Sequence, residues 1–175
     1  MQRAADTAND AGNSEVFNDS EGVLFADISA NNDSEYKSIS LSNASSSVDD
    51  NRVLIALQNS NLNANVRVGN VYQFNKNFAL STENSNKISL KYKTNDFALW
   101  VNGFEVSTDT SVITFSNGIL LKMQFADGRP TTSHFYGKTK EIGYYDTALT
   151  DEELEYMTSY RSLNELVTEL NLNTL

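Results

Sequence analysis

At 175 residues, with 39% hydrophobic residues and a formal net charge of -10, the chain has room for one domain with a sizeable core. The 13 Lys and Arg are scattered among 23 Asp and Glu without a basic stripe, so nucleic acid is not an expected partner, and the absence of cysteine excludes disulfides and thiolate metal sites. The longest apolar runs, such as Val53 to Leu57, are far shorter than a bilayer span, so a soluble protein without membrane insertion is expected.

The first residues, MQRAADTAND, have no apolar h-region; they read as a cut in a longer chain rather than a secretory signal. Beyond them, 22 Asn, 20 Ser and a single Pro punctuate short apolar runs, a composition that predicts an all-β chain. Strands are expected over 23–29, 36–42, 52–58, 65–69, 71–75, 87–93, 97–102, 104–108, 119–126 and 135–145. Many short strands with turns between them predict a two-sheet antiparallel β-sandwich of the jelly-roll kind. The stretch SNASSSVDDN (42–51) reads as a loop, because strand-like segments resume on both sides.

Helical periodicity is confined to the end of the chain. Thr150 followed by Glu153 forms a capping box, and Leu154, Met157 and Tyr160 or Arg161 follow at helical spacing. A second short helix is expected from Ser162 to Leu170. The whole of 1–175 thus reads as one domain, with an entry segment (1–22), a sandwich (23–149) and a short C-terminal helical segment (150–175).

The stretch KYKTNDFALWVNG (91–103) carries the only tryptophan. Phe97, Leu99 and Val101 alternate with Ala98, Trp100 and Asn102, and Asn102-Gly103 is the left-handed pair of a tight type I′ hairpin. The first set is the better candidate for the space between the sheets, which puts Trp100 on an outer surface. Two readings follow: the indole is an open platform for a sugar or a protein, or the C-terminal helix covers it with Leu154 and Met157.

The run LKYKTNDFALWVNGFEV resembles the hairpin of laminin-G-like and pentraxin-like jelly rolls in the concanavalin A-like lectin/glucanase superfamily. FYGKTKEIGYYDTALTDEELEYMTS (135–159) is similar to the closing strand and short helix of that superfamily. Gly137 would let that strand pass close to its neighbour, while Ala148 and Leu149 tuck beneath the sheet. Residues 3–29 resemble the opening of such domains in tailed-phage virion proteins. The resemblance implies a module on the surface of a virion, in a tail fibre or adhesin, and leaves the ligand open, since the fold hosts lectins, hydrolases and structural domains.

Glucanases of this fold carry an E-x-D-x-x-E run of carboxylates, and none occurs in this sequence. Asp49-Asp50 and Asp151-Glu152-Glu153 read as loop and helix-start charges, and His134 is the single imidazole, so no catalytic residue is expected. No cofactor is expected either, with calcium left open because related jelly rolls bind it at one rim. Asp10, Asn13, Asp19 and Glu21 near the first strand, and Asp127 and Asp146 near the last two, are the candidate ligands, with Asp10, Asp19 and Asp146 foremost. None forms an EF-hand loop.

For a glycan, the loop ADGRPTTSHFYG (126–137) offers Arg129 to fork onto a carboxylate or sulfate, Tyr136 to stack, and Asp127 and His134 to bond hydroxyls. Trp100 and Asn102 complete the candidate set; for each residue singly, an ordinary loop or packing role competes. The function expected is a noncatalytic carbohydrate-binding module of a phage virion that recognises host-surface glycan. The alternatives are a structural virion domain that mediates assembly with other virion proteins or its own copies, and a glycoside hydrolase or lyase.

Overall fold

Period-two alternation organises nearly all of the chain. The computed structural model describes residues 12–43, 51–129 and 133–160. Strands β1 (Glu21–Ala30), β6 (Asn86–Lys93), β7 (Phe97–Val101), β8 (Phe104–Asp109) and β10 (Gly137–Tyr145) form sheet 1 in the order β10-β1-β6-β7-β8. Strands β2 (Lys37–Ser42), β3 (Arg52–Gln58), β4 (Asn61–Val68), β5 (Val71–Ala79) and β9 (Lys122–Gln124) form sheet 2 in the order β5-β4-β3-β2-β9. Every pairing is antiparallel. One short helix, α1 (Asp151–Thr158), follows the last strand. The two-sheet antiparallel sandwich with a short C-terminal helix is the architecture the sequence predicts.

Alternate residues of each strand meet between the sheets. Leu24, Ala26 and Ile28 of β1, Ile88, Leu90 and Tyr92 of β6, and Phe97, Leu99 and Val101 of β7 come from sheet 1. Ile39 and Leu41 of β2, Val53, Ile55 and Leu57 of β3, Leu62, Ala64 and Val66 of β4, and Phe74 of β5 face them from sheet 2. At roughly 25 cal/mol per Å² of apolar area removed from water, this layer is the main source of stability in a chain without disulfides. Phe74 and Phe97 meet edge to face across the layer, with centroids 6.1 Å apart.

Three of the hairpins close on two-residue loops whose residues both have positive φ: Asn59-Ser60, Gly69-Asn70 and Asn102-Gly103. Such primed turns match the right-handed twist of the strands they join. A Cβ on Gly137 would collide with the Ser29 carbonyl oxygen, which is why this position at the start of β10 tolerates no side chain.

Two strand boundaries differ from the sequence expectation for one reason. β4 begins at Asn61 rather than Asn65, and β5 continues to Ala79 rather than Asn75. Asparagine is depleted in strands, so NLNAN and NKNFA read as loop, yet their side chains are mutually hydrogen-bonded on one sheet face. β9 is shorter than expected because the backbone just before it, at 118–120, bonds to Asp19 instead of a strand.

Helix α1 lies on the outer face of sheet 1. Its capping box forms as expected, with the Thr150 hydroxyl accepting from Glu153 N at 3.3 Å and the Glu153 carboxylate accepting from Thr150 N at 2.8 Å. Two lysines of β6 hold its ends: Lys91 Nζ lies 3.2 Å from Asp151 and 2.8 Å from Asp96, and Lys87 Nζ donates to Ser159 O at 3.1 Å. The second cation suits the negative end of the helix dipole. The second helix expected over 162–170 lies outside the described residues.

Carboxylates also tie the entry segment to the sheet edge. The Ala148 N–H and the Lys93 ammonium hydrogen-bond Glu21 and hold its carboxyl below the ordinary glutamate value of 4.5. A depressed folded-state pKa stabilises the fold above the unfolded value and loses that contribution as pH falls through the folded one. The denaturant midpoint is therefore expected to hold from pH 7 to about 5 and to fall below about 4.5. In Glu21→Gln the acid-side fall should be shallower; an unchanged slope would contradict the role given to this carboxylate.

Candidate functional site

On sheet 2 the residues that do not face the core form a second, polar surface. Opposite Val53 and Ile55 on β3 stand Arg52 and Leu54; opposite Leu62, Ala64 and Val66 on β4 stand Asn63 and Asn65; next to Ile39 on β2 stands Ser38. Strand β5 contributes Asn75 and Asn77. Simple alternation would send Tyr72 inward beside Phe74, but a bulge intervenes. Val66 pairs with Phe74 and Arg67 with Tyr72, so Gln73 is an extra residue and Tyr72 turns to the outer face with Arg67.

These side chains line a cleft of about 420 Å³ together with Tyr36, Asp127, Arg129 and Ser133. Its floor is a chain of hydrogen bonds that crosses the strands. Arg52 Nε donates to Asn65 Oδ1 at 3.0 Å, Asn65 Nδ2 to Asn63 Oδ1 at 2.7 Å, and Asn63 Nδ2 to Asn77 Oδ1 at 2.9 Å. Each amide so held presents its remaining donor or acceptor in a fixed direction. Leu54, 3% exposed, supplies an apolar spot within this polar floor. The Ser38 hydroxyl, on a residue 1% exposed, has no hydrogen-bond partner among the described residues. A buried hydroxyl left unbonded costs about 1–3 kcal/mol.

The wall at the β9 end comes from the turn after that strand. Gly128, with φ of 99°, folds the chain so that Arg129 reaches back to Asp127. The Asp127 carboxylate accepts from the Arg129 main-chain N–H at 3.2 Å, from its Nε at 3.3 Å, and forms an ion pair with Nη2. Arg52 Nη1 donates to the Asp127 carbonyl at 3.0 Å. The Asp127 side chain is 7% exposed and that of Arg129 39%, so the cation and not the carboxylate meets solvent. Arg52 and Arg129 against Asp127 leave the lining with a formal charge of +1, in a chain whose net charge is -10. Asp127 is the single carboxylate among the described lining residues.

Of the residues singled out in the sequence, Asp127 and Arg129 come together in this cleft, and Ser133 of the same loop joins them. His134 and Tyr136 do not line it; their rings stand edge to face with each other at 6.4 Å. Trp100 and Asn102 belong to the other sheet. Trp100 is 7% exposed, packed with Val23, Ala98 and Leu154 and against Leu149 and Met157, so α1 covers the indole and leaves no open platform. Asn102 is occupied by its hairpin: its Oδ1 accepts from Lys87 N at 2.9 Å and its Nδ2 donates to Asn86 Oδ1 at 3.0 Å.

The calcium candidates separate as well. Asp19 spends both carboxylate oxygens on main-chain N–H groups, accepting from Gly118 at 2.6 Å, Ile119 at 3.2 Å and Leu120 at 2.7 Å. Asp146 is exposed and takes part through its main-chain carbonyl, which accepts from Asn18 Nδ2 at 2.7 Å. Asp10 and the Asp49-Asp50 pair lie outside the described residues. No group of three or more His, Cys, Asp and Glu able to hold a metal ion is gathered among the described residues.

No protein-family model matches the chain, and no curated protein matches it in sequence. Solved structures do match in shape. The CBM40 of the Ruminococcus gnavus IT-sialidase, bound to α2,3-sialyllactose, superposes with a TM-score of 0.69 at 19% identity, over 83% of this chain and 86% of that one. The leech intramolecular trans-sialidase gives 0.72 at 20% identity, over 90% of this chain and 26% of the enzyme, so this chain corresponds to about a quarter of that protein. A SAP-like pentraxin from Limulus polyphemus gives 0.60 at 15% identity, over 82% of this chain and 71% of that one. At such identities these likenesses show a shared two-sheet β-sandwich fold.

Proposed function

We propose that this sandwich is a noncatalytic carbohydrate-binding module and that its ligand, an acidic glycan such as a sialylated one, seats in the cleft on the outer face of sheet 2. The observation that carries the reading is the lining itself. A row of mutually bonded amides, two flanking tyrosines and an exposed guanidinium suit a molecule that combines hydroxyls, apolar C–H faces and a carboxylate. The R. gnavus CBM40, whose solved structure holds α2,3-sialyllactose, supports the choice of ligand class by its similar shape.

Catalysis is not part of the proposal. Glycoside hydrolysis by the common route needs two carboxyl groups flanking the scissile bond, whereas the described residues of the lining include one, Asp127, which Arg129 engages. A location on a phage virion, with host-surface glycan as the ligand, extends the proposal on the sequence resemblance of 3–29 alone.

The test is binding of a multivalent display of the protein to a glycan array, because clustered presentation raises weak single-site affinity. Selective retention on acidic glycans is expected. Arg129→Ala should reduce binding about 10- to 100-fold, the worth of charge-assisted hydrogen bonds of about 1.5–3 kcal/mol. Because it also takes an ion-pair partner from the buried Asp127 carboxylate, Tm should fall too, and binding is compared at a temperature where both proteins are folded. An array without any retained glycan, or retention indifferent to Arg129, would overturn the proposal.

A further inference from the structure

We infer that the cleft is polarised and holds an oligosaccharide crosswise to the strands, with its anionic sugar at the β9 end and a following sugar against Tyr72 at the β5 edge. This rests on the glycan reading above and adds to it a direction and a second subsite. The lining residues come from β5, β4, β3 and β2 in succession and from the turn after β9. From β5 to β2 are three inter-strand steps, a path of about 14 Å at about 4.8 Å per step, which is longer than one sugar ring.

The two ends of that path differ in chemistry. Arg129 on the turn after β9, and Arg52 of β3 whose Nη1 reaches the Asp127 carbonyl, put the charge of the lining toward the β2 and β9 end, and no charged side chain of the lining comes from β4 or β5. At the β5 end the lining is Asn75, Asn77 and the ring of Tyr72. Tyr72 is 48% exposed on an edge strand, and the bulge at Gln73 turns it outward instead of into the core. The Arg67 guanidinium lies over its ring at 4.6 Å from the centroid, and Arg67 is not part of the lining. The ring is thus braced from outside the cleft and presents its remaining surface to whatever occupies it, the arrangement that stacking on a sugar C–H face requires.

The decisive experiment compares two probes by calorimetric or NMR titration of the folded protein: the methyl glycoside of N-acetylneuraminic acid, which fills only the anionic end, and the trisaccharide 3′-sialyllactose. The native protein is expected to bind the trisaccharide about 3- to 10-fold more tightly than the monosaccharide. Tyr72→Ala should abolish that advantage and leave the monosaccharide affinity unchanged, Tyr72→Phe should keep it, and Arg129→Ala should weaken both probes. Equal affinity of the native protein for the two probes, or an equal loss for both in Tyr72→Ala, would overturn the second subsite while leaving the glycan reading intact. Binding of neither probe, to a protein whose array shows no acidic ligand, would overturn the inference together with the reading it rests on.

Discussion

Replacing Trp100 by alanine is expected to destabilise the protein by about 3–5 kcal/mol, the range for deleting a large buried aromatic side chain, without altering the ligand cleft. The indole fills the layer between the outer face of sheet 1 and α1, against Val23, Ala98, Leu154, Leu149 and Met157. Its removal empties that layer, and the helix loses most of what it packs on. Because the chain has a single tryptophan, the unfolding is best followed by circular dichroism in urea. Trp100→Phe should cost much less, since it keeps most of the ring and removes a buried indole N–H that has no hydrogen-bond partner among the described residues. A Trp100→Ala protein as stable as the parent, but deficient in glycan binding, would show an exposed indole and contradict the packing described above.

Asp19→Ala is the second substitution with a large expected effect, at about 3 kcal/mol or more. The carboxylate is 6% exposed and satisfies three consecutive main-chain N–H groups at 118–120, which connect the sheets near the Tyr92 and Phe115 rings. Each such donor left unbonded in the interior costs about 1–3 kcal/mol, reduced to the extent that water reaches the loop. Asp19→Asn should also be destabilising, because an amide offers one acceptor oxygen and turns its NH2 toward further donors. With both carboxylate oxygens engaged in this way, Tm is expected to be the same in calcium as in chelator. A rise of several degrees with calcium would show that Asp19 serves a metal rather than the loop.

Much of the fold is legible in the sequence because one rule, apolar alternation, governs most of the strands and because Asn102-Gly103 and Thr150 with Glu153 carry their own local mechanisms. The direction of Trp100 follows from that same alternation. Its cover by Leu154 and Met157 of the C-terminal helix is one of two readings the sequence leaves open, and the docked helix decides between them.

The cleft is less legible, for a related reason. Asp127 and Arg129 are two residues apart and can be paired by eye, whereas Arg52, Asn65, Asn63 and Asn77 become neighbours only through the registers of β3 with β4 and β4 with β5. Tyr72 is hidden further, because alternation puts it in the core and a one-residue bulge takes it out. A signal was present in NLNAN and NKN, where asparagine recurs at every second position. In a loop such spacing has no consequence, but in a strand it builds one continuous face of amides. His134 and Tyr136, in the same stretch as Arg129, stand edge to face with each other and outside the cleft lining.

The central claim is that the outer face of sheet 2, and not the tryptophan face of sheet 1, receives the ligand. It is tested most directly by titrating isotopically labelled protein with 3′-sialyllactose and following side-chain N–H resonances. The expected result is movement of the Asn63, Asn65, Asn75 and Asn77 amides and of the Arg129 Nε signal, with the Trp100 indole and the Asn102 amide unmoved. Movement of the Trp100 and Asn102 signals, with the sheet 2 asparagines still, would contradict the account.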